Sequence, residues 1–364
     1  MMILSIFSSV ILGILLAELI LRFLYRLNYN APLPYGLRAN SAKRIGHIKF
    51  TLNFHGKNKA GIVYSINSYG YRDDEIDFNK KHILFLGDST TFGLNINHED
   101  TYPEVLEKMM NASYGGIFQA VNTAVPGQGT FEERDILRSF LEMKRLDIKA
   151  VVLGFYCNDF SENSLYHAYM ERVKRGGLVF KTVNFVKEKM GTPRLYILFA
   201  FFWNKIHPKY FKRESQNVQE TPHILSEEEI YKTKSWQLTI EALDGISGLC
   251  RQNGIPFIFI YFPSGEEEIL SGKSPEYKAL LERYLSGMTG IYYVDVLKMY
   301  RRYLLENHFI DRLPQAFYSF KGDVKHPGVL ACRIIAQELF SVFEKEKIIG
   351  DRKHAVYERM DKRL

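Results

Sequence analysis

Cysteine is scarce. Cys157, Cys250 and Cys332 are the only three in 364 residues, and they stand far apart with no C-x-x-C pair. That excludes a disulfide framework and a cysteine-built zinc site, and it leaves the redox compartment open. No H-E-x-x-H occurs, and the 10 histidines show no metal-ligand spacing, so no metal motif is read from the sequence. Low-complexity and collagen-like tracts are missing too, and 46% hydrophobic with 24% charged residues belong to an ordinary globular chain. Charge of one sign forms no long run. The 48 Lys and Arg exceed the 41 Asp and Glu by only +7, spread along the chain without the basic, aromatic-studded stripe of a nucleic-acid binder. The length suits a large domain, or a core with attachments.

One absence is local. Residues 1–17 carry no charged side chain, and Glu18, Arg22 and Arg26 follow. Residues 3–24 are long enough to cross a bilayer as a helix, at about 20 residues per crossing. Glu18 and Arg22 would share a helix face near one end, where they can pair or snorkel. A cleaved signal peptide is the rival reading, but a basic n-region and a clear small-residue cleavage site are lacking. A buried core helix fits poorly with a run that is apolar on all sides. We therefore expect a transmembrane anchor at 1–26. Positive charge after the span argues, by the positive-inside rule, for a cytoplasmic body.

Residues 27–80 read as a linker and a β-rich lead-in. The stretch 28–44 holds Pro32, Pro34 and Gly36, and 48–71 is strand-like, broken by glycines, and ends in Asn67-Ser68-Tyr69-Gly70-Tyr71-Arg72. A regular alternation then begins. Continuous apolar runs suited to buried parallel strands lie at 82–86, 119–121, 150–156, 256–262 and 291–296. Between them, Thr101-x-x-Glu104, Thr130-x-x-Glu133 and Ser226-x-x-Glu229 have capping-box spacing, and a last helix follows Pro327. Strands alternating with helices imply an α/β fold, a doubly wound parallel sheet of five strands in the flavodoxin-like manner, over 81–346. Strand order is not readable. The connection 160–225 is far longer than the alternation needs. It is basic and aromatic, and its uncharged run 195–203 is too short to span a membrane. It reads as a helical insert, a lid, or a surface resting on lipid. The tail, 347–364, is charge-rich and solvated.

In an open α/β sheet, ligands bind at the carboxyl ends of the strands. After the first strand comes Gly87-Asp88-Ser89, after the second Asn122 through Gly127, after the third Asn158-Asp159, and before the last helix Asp323-Val324-Lys325-His326. Any one of these arises easily by chance; four in this order at the same sheet edge do not. They supply a serine acyl-transfer site. A serine hydroxyl needs a neighbouring base, and His326 can be that base, with Asp323 fixing the imidazole tautomer. The oxyanion needs preorganised donors, and the candidates are the backbone N–H of Ser89, the backbone N–H of Gly127 and the side-chain amide of Asn158. Asp88 and Asp159 read as structural braces of their turns. An α/β-hydrolase elbow is excluded because Thr91 occupies its final glycine position. Gly272-Lys273-Ser274 is not a phosphate loop, since Glu267 stands where the first glycine belongs. Asn111-Ala112-Ser113 is a glycosylation triplet of the kind that is frequent by chance.

These blocks resemble the SGNH, or GDSL, hydrolase superfamily across about 67–343, interrupted by the insert. Ser89 matches the family's nucleophile position, Asn122 to Gly127 its glycine block, Asn158 its asparagine block, and Asp323 with His326 its Asp-x-x-His block. Asn67 to Arg72 resembles the lead-in of membrane-anchored, envelope-type members. Tyr156 departs from the glycine often found two residues before the asparagine. The resemblance implies a serine esterase or acyltransferase acting on an acylated carbohydrate or lipid, without metal or cofactor. It also implies a catalytic domain on the outer face of the cytoplasmic membrane, against the positive-inside reading. The alternative is a non-catalytic envelope protein that binds glycan on the same fold.

Overall fold

The apolar runs do form the sheet. The structure, a computed structural model, describes residues 62–175, 226–309 and 325–349, together with 12, 13, 16, 17, 20, 55–57, 313, 314, 317–319 and 323. A short antiparallel hairpin, β1 (His55–Lys57) and β2 (Val63–Ser65), precedes the main sheet. The main strands are β3 (Lys81–Gly87), β4 (Phe118–Asn122), β5 (Asp147–Phe155), β6 (Phe257–Tyr261) and β7 (Ile291–Asp295). All pair in parallel, in the order β4-β3-β5-β6-β7. This is the flavodoxin-like order, in which the chain reverses direction across the sheet between its first and third strands.

Alternation along each strand builds two cores. Ile83, Phe85, Ala120, Ala150, Val152, Ile258 and Ile260 face α2 (Tyr102–Tyr114), α9 (Val296–Glu306) and α10 (Val329–Lys345). Leu84, Leu86, Val121, Val151, Leu153, Phe155 and Phe259 face α3 (Thr130–Met143), α4 (Asp159–Arg175), α6 (Lys234–Gln252) and α8 (Glu276–Ser286). Burial on both faces explains why these strands read as continuous apolar runs rather than as alternating ones. The shorter helices are α1 (Ser89–Phe92), α5 (Glu227–Lys232) and α7 (Glu266–Ser271).

The expected helix starts fare differently. Ser226 caps α5 as a capping box, its hydroxyl and the Glu229 carboxylate serving each other's backbone N–H groups. Helix α3 begins one residue early, with Gly129 at the cap and Glu132, not Glu133, reaching back to the Gly129 N–H. Thr101 does sit at the cap of α2, but its hydroxyl donates to the His98 carbonyl at 2.9 Å instead of capping the helix. All three cysteines are free thiols.

Of the expected anchor, only Leu12, Gly13, Leu16, Ala17 and Ile20 fall among the described residues. They are helical, and Leu12, Leu16 and Ile20 are exposed. Among the described residues no helix is long and apolar enough to cross a membrane. The described part of the insert, up to Arg175, is helical, whereas 176–225 and 350–364 lie outside the described residues.

Candidate active site

The order reversal places the ends of β3 and β5 side by side, and the four sequence blocks gather there. Strand β3 ends at Gly87, and α1 starts at once with Ser89 as its first residue. Asp88 caps that turn, accepting from the Thr90 N–H at 2.8 Å and the Thr90 hydroxyl at 2.8 Å. The turn packs against the sheet through Thr91. A Cβ on Gly87 or on Gly154 would lie 2.2 Å from the Thr91 Oγ1, so both strands need glycine to admit it. The Tyr102 hydroxyl donates to the same oxygen at 2.9 Å. Thr91, which stands where an α/β-hydrolase elbow has its final glycine, thus sits over two glycines.

Opposite Ser89 stands the segment before α10. It is held by an antiparallel bridge between Tyr318 and Pro327, with the Ser319 N–H donating to the His326 carbonyl at 3.1 Å. The His326 Nε2 lies 2.9 Å from the Ser89 Oγ, and its Nδ1 lies 3.0 Å from the Asp323 Oδ2. Asp323 also accepts from the Ser319 hydroxyl at 2.6 Å and from the backbone N–H groups of Lys325 and His326 at 3.0 and 3.2 Å. Burial alone would raise the Asp323 carboxyl. The Ser319 hydroxyl, those N–H groups and the facing imidazole outweigh burial and hold it below its ordinary value. An ionised Asp323 keeps the proton on Nδ1 and leaves the Nε2 lone pair toward Ser89.

The expected oxyanion donors lie in the turns that follow three neighbouring strands, Ser89 after β3, Gly127 after β4 and Asn158 after β5. The Ser89 N–H opens α1, where no intrahelical acceptor exists for it. Gly127 takes φ +73° in the turn after β4, a conformation that favours glycine. That turn is tied to β3 by the Val125 N–H, which donates to the Gly87 carbonyl at 3.1 Å. The Asn158 amide donates from Nδ2 to the Asp88 Oδ2 at 3.0 Å, across from β5 to β3. An amide carries two N–H donors. Asp88 takes one and so orients the group, and the second is left for a ligand.

Sequence reasoning missed the support behind these residues. Arg72 is buried, and its guanidinium donates to the carbonyls of Phe92 and Ile96 at 3.0 and 2.6 Å and to that of Gly93. It also lies 4.3 Å from the Tyr64 ring centroid. Asp73 accepts from the Asn122 N–H at 2.7 Å, and the Asn122 amide in turn donates to the Thr91 carbonyl at 3.1 Å. The lead-in Asn67 to Asp73 is therefore the clamp that holds the Ser89 turn and the β4 end in place. Tyr156, the departure from the family pattern, closes its own turn: its N–H donates to the Asp159 Oδ2 at 3.1 Å, and its hydroxyl to the Ser264 carbonyl at 2.8 Å.

Beneath the site lies an acidic group that no other part of the site uses. Glu133 is fully buried on α3, and neither carboxylate oxygen has a hydrogen-bond partner among the described residues. Burial first, then the charges of Asp159, Asp88 and Glu132, push its carboxyl well above the ordinary value. Asp159 is raised likewise by burial and then by Asp88. The folded state thus holds a proton that the unfolded chain releases near pH 4.3. The native state binds more protons above that pH, so this contribution is fully present in acid and is lost as pH rises toward the folded pKa. Glu133→Gln is expected to stabilise the protein at pH 7 by about 1–2 kcal/mol and to flatten the decline of stability above pH 5. Urea unfolding at several pH values checks this; an unchanged slope would contradict it.

No protein-family model and no curated protein matches this sequence. Solved structures do overlay on it at low identity. A member of the lipolytic G-D-S-L family from Veillonella parvula DSM 2008 shares 12% identity, with 72% of this chain and 98% of that one covered, at a TM-score of 0.39. An acetylxylan esterase from Geobacillus stearothermophilus, solved as a catalytic mutant, shares 14%, covering 75% and 95%, at 0.39. The acetyl xylan esterase AlAXEase shares 13%, covering 72% and 98%, at 0.42. Likeness at this level decides nothing about activity, and the chemistry of the site rests on its own geometry.

Proposed function

We propose that this chain is a serine-dependent ester hydrolase or acyltransferase of the SGNH type. The observation that carries the reading is the continuous relay from the Ser89 Oγ through His326 to Asp323, with contacts of 2.9 and 3.0 Å. In this reading the Ser89 oxygen attacks the acyl carbonyl carbon and its proton passes to the His326 Nε2. The oxyanion is met by the Ser89 N–H, the Gly127 N–H and the free N–H of Asn158. His326 then protonates the departing alkoxide. Water, or a sugar hydroxyl, attacks the acyl-enzyme with the same imidazole as base and frees Ser89.

An acylated envelope carbohydrate or lipid is the substrate class we favour. Support for a site near a membrane comes from the charge-free stretch 1–17, which suits a tether; the extracytoplasmic side we propose follows from the resemblance and runs against the positive charge after that stretch. The purified protein is expected to release free acid from short-chain p-nitrophenyl esters. It should also release acetate from acetylated glycan faster than fatty acid from lysophospholipid. A folded protein that releases no acid from any ester would instead be the glycan-binding protein kept as the alternative. A preference for lysophospholipid would place the substrate on the lipid side of that class and leave the serine chemistry standing.

A further inference from the structure

Away from Ser89, three side chains from separate segments converge, of which Asp73 also accepts from the Asp74 and Asn122 N–H groups at 2.8 and 2.7 Å. His98 lies in the turn before α2, Asp73 follows the lead-in motif, and Glu104 stands in the first turn of α2. Their ligand atoms all lie within 4.8 Å of one another. The His98 Nε2 is 3.4 Å from the Glu104 Oε1, 3.7 Å from the Asp73 Oδ1 and 3.9 Å from the Asp74 Oδ1. Both ring nitrogens of His98 are buried, and neither has a hydrogen-bond partner among the described residues.

As an ion-pair cluster this arrangement is poor. A charge-assisted N–H···O contact closes to about 2.7–2.9 Å, and these are longer.

The spacing suits a shared metal instead. Donors at about 2.0–2.2 Å from a tetrahedral Zn2+ stand roughly 3.3–3.6 Å from one another. One imidazole with carboxylates is a donor set for Zn2+ or Mn2+, while Mg2+ and Ca2+ prefer oxygen alone. We propose that Asp73, His98 and Glu104 form a divalent transition-metal site selective for Zn2+, with the exposed Asp74 closing over it as a further ligand. The ion has a structural task. It joins the lead-in segment to α2, and through Asp73, which accepts from the Asn122 N–H, it steadies the end of β4. The assignment is independent of the Ser89 chemistry.

The test uses the full chain, stripped with chelator and titrated calorimetrically with Zn2+, Mn2+, Mg2+ and Ca2+ alone. Zn2+ is expected to bind one to one and raise the unfolding temperature, with Mg2+ and Ca2+ inert. In H98Q and in E104Q the Zn2+ affinity should fall at least about tenfold. Co2+ added to the stripped wild-type protein should give visible absorption bands that Zn2+ bleaches, a readout that needs no variant. A native circular-dichroism spectrum and a cooperative urea transition report whether each variant is folded. No Zn2+ binding and no Co2+ bands in the wild type would overturn the proposal, as would unchanged affinity in two folded variants. A protein that binds Zn2+ but hydrolyses no ester would refute the proposed function and leave this site standing.

Discussion

Ser89→Ala is expected to reduce ester turnover by about four to six orders of magnitude while leaving the fold intact. The asymmetry follows from position. Ser89 is the first residue of α1, but the turn is capped by Asp88, which bonds the Thr90 N–H and hydroxyl, and it is anchored by Thr91 over Gly87 and Gly154. Losing one partly exposed hydroxyl removes none of those contacts, so stability should change by about 1 kcal/mol or less. Without the hydroxyl the His326 Nε2 has nothing to deprotonate at 2.9 Å. His326→Ala should cost a similar factor, because an unassisted serine hydroxyl is a weak nucleophile. The double variant should be no worse than either single one, since nucleophile and base act as one unit. Initial rates on a p-nitrophenyl ester, together with loss of fluorophosphonate labelling, test this. Retention of a tenth of the wild-type rate by Ser89→Ala would remove Ser89 from the nucleophile's place.

Much of this site is legible in the sequence because its signals are local. Apolar runs bounded by turn residues locate the five strands, and the candidate site residues follow the first three directly or stand just before the last helix. Boundaries drift where two local options compete: α3 starts from Gly129 because Glu132, not Glu133, can reach back to the cap N–H. Strand order is a different matter. A strand buried on both faces carries no record of its neighbours, so the outer position of β4 next to β3 emerges only in three dimensions. The clamp residues are hidden for the same reason. Arg72 reads as a surface cation until its contacts with the carbonyls of Phe92, Gly93 and Ile96 are seen. Asp73 reaches Asn122 across 49 positions of sequence. Gly154 passes unmarked inside the apolar run 150–156, and only the approach of Thr91 explains it. Sequence therefore exposes the reacting groups more readily than the residues that aim them.

Asn158→Ala carries the second large expected effect, a loss of about two to three orders of magnitude in kcat with little change in KM. The reason lies in when its bond matters. A donor aimed at developing negative charge acts in the transition state and not on the ground-state carbonyl, so its removal raises the barrier by about 2.7–4 kcal/mol without weakening binding. One Asn158 N–H is already held by the Asp88 Oδ2 at 3.0 Å. That bond fixes the amide plane before substrate arrives, and preorganisation of this kind makes a neutral donor effective. Asn158→Asp should be worse than the alanine variant, because it sets a second carboxylate against Asp88 and faces the oxyanion with like charge. Asp88→Asn tests the orienting role separately. It keeps an oxygen for the Thr90 N–H but puts an NH2 where the Oδ2 accepted from the Asn158 amide, so it should retain the fold and lose about tenfold in kcat. Steady-state kinetics on one ester substrate distinguish these cases. If Asn158→Ala raised KM and left kcat unchanged, Asn158 would be a substrate-binding group, and the oxyanion would rest on the Ser89 and Gly127 N–H groups alone.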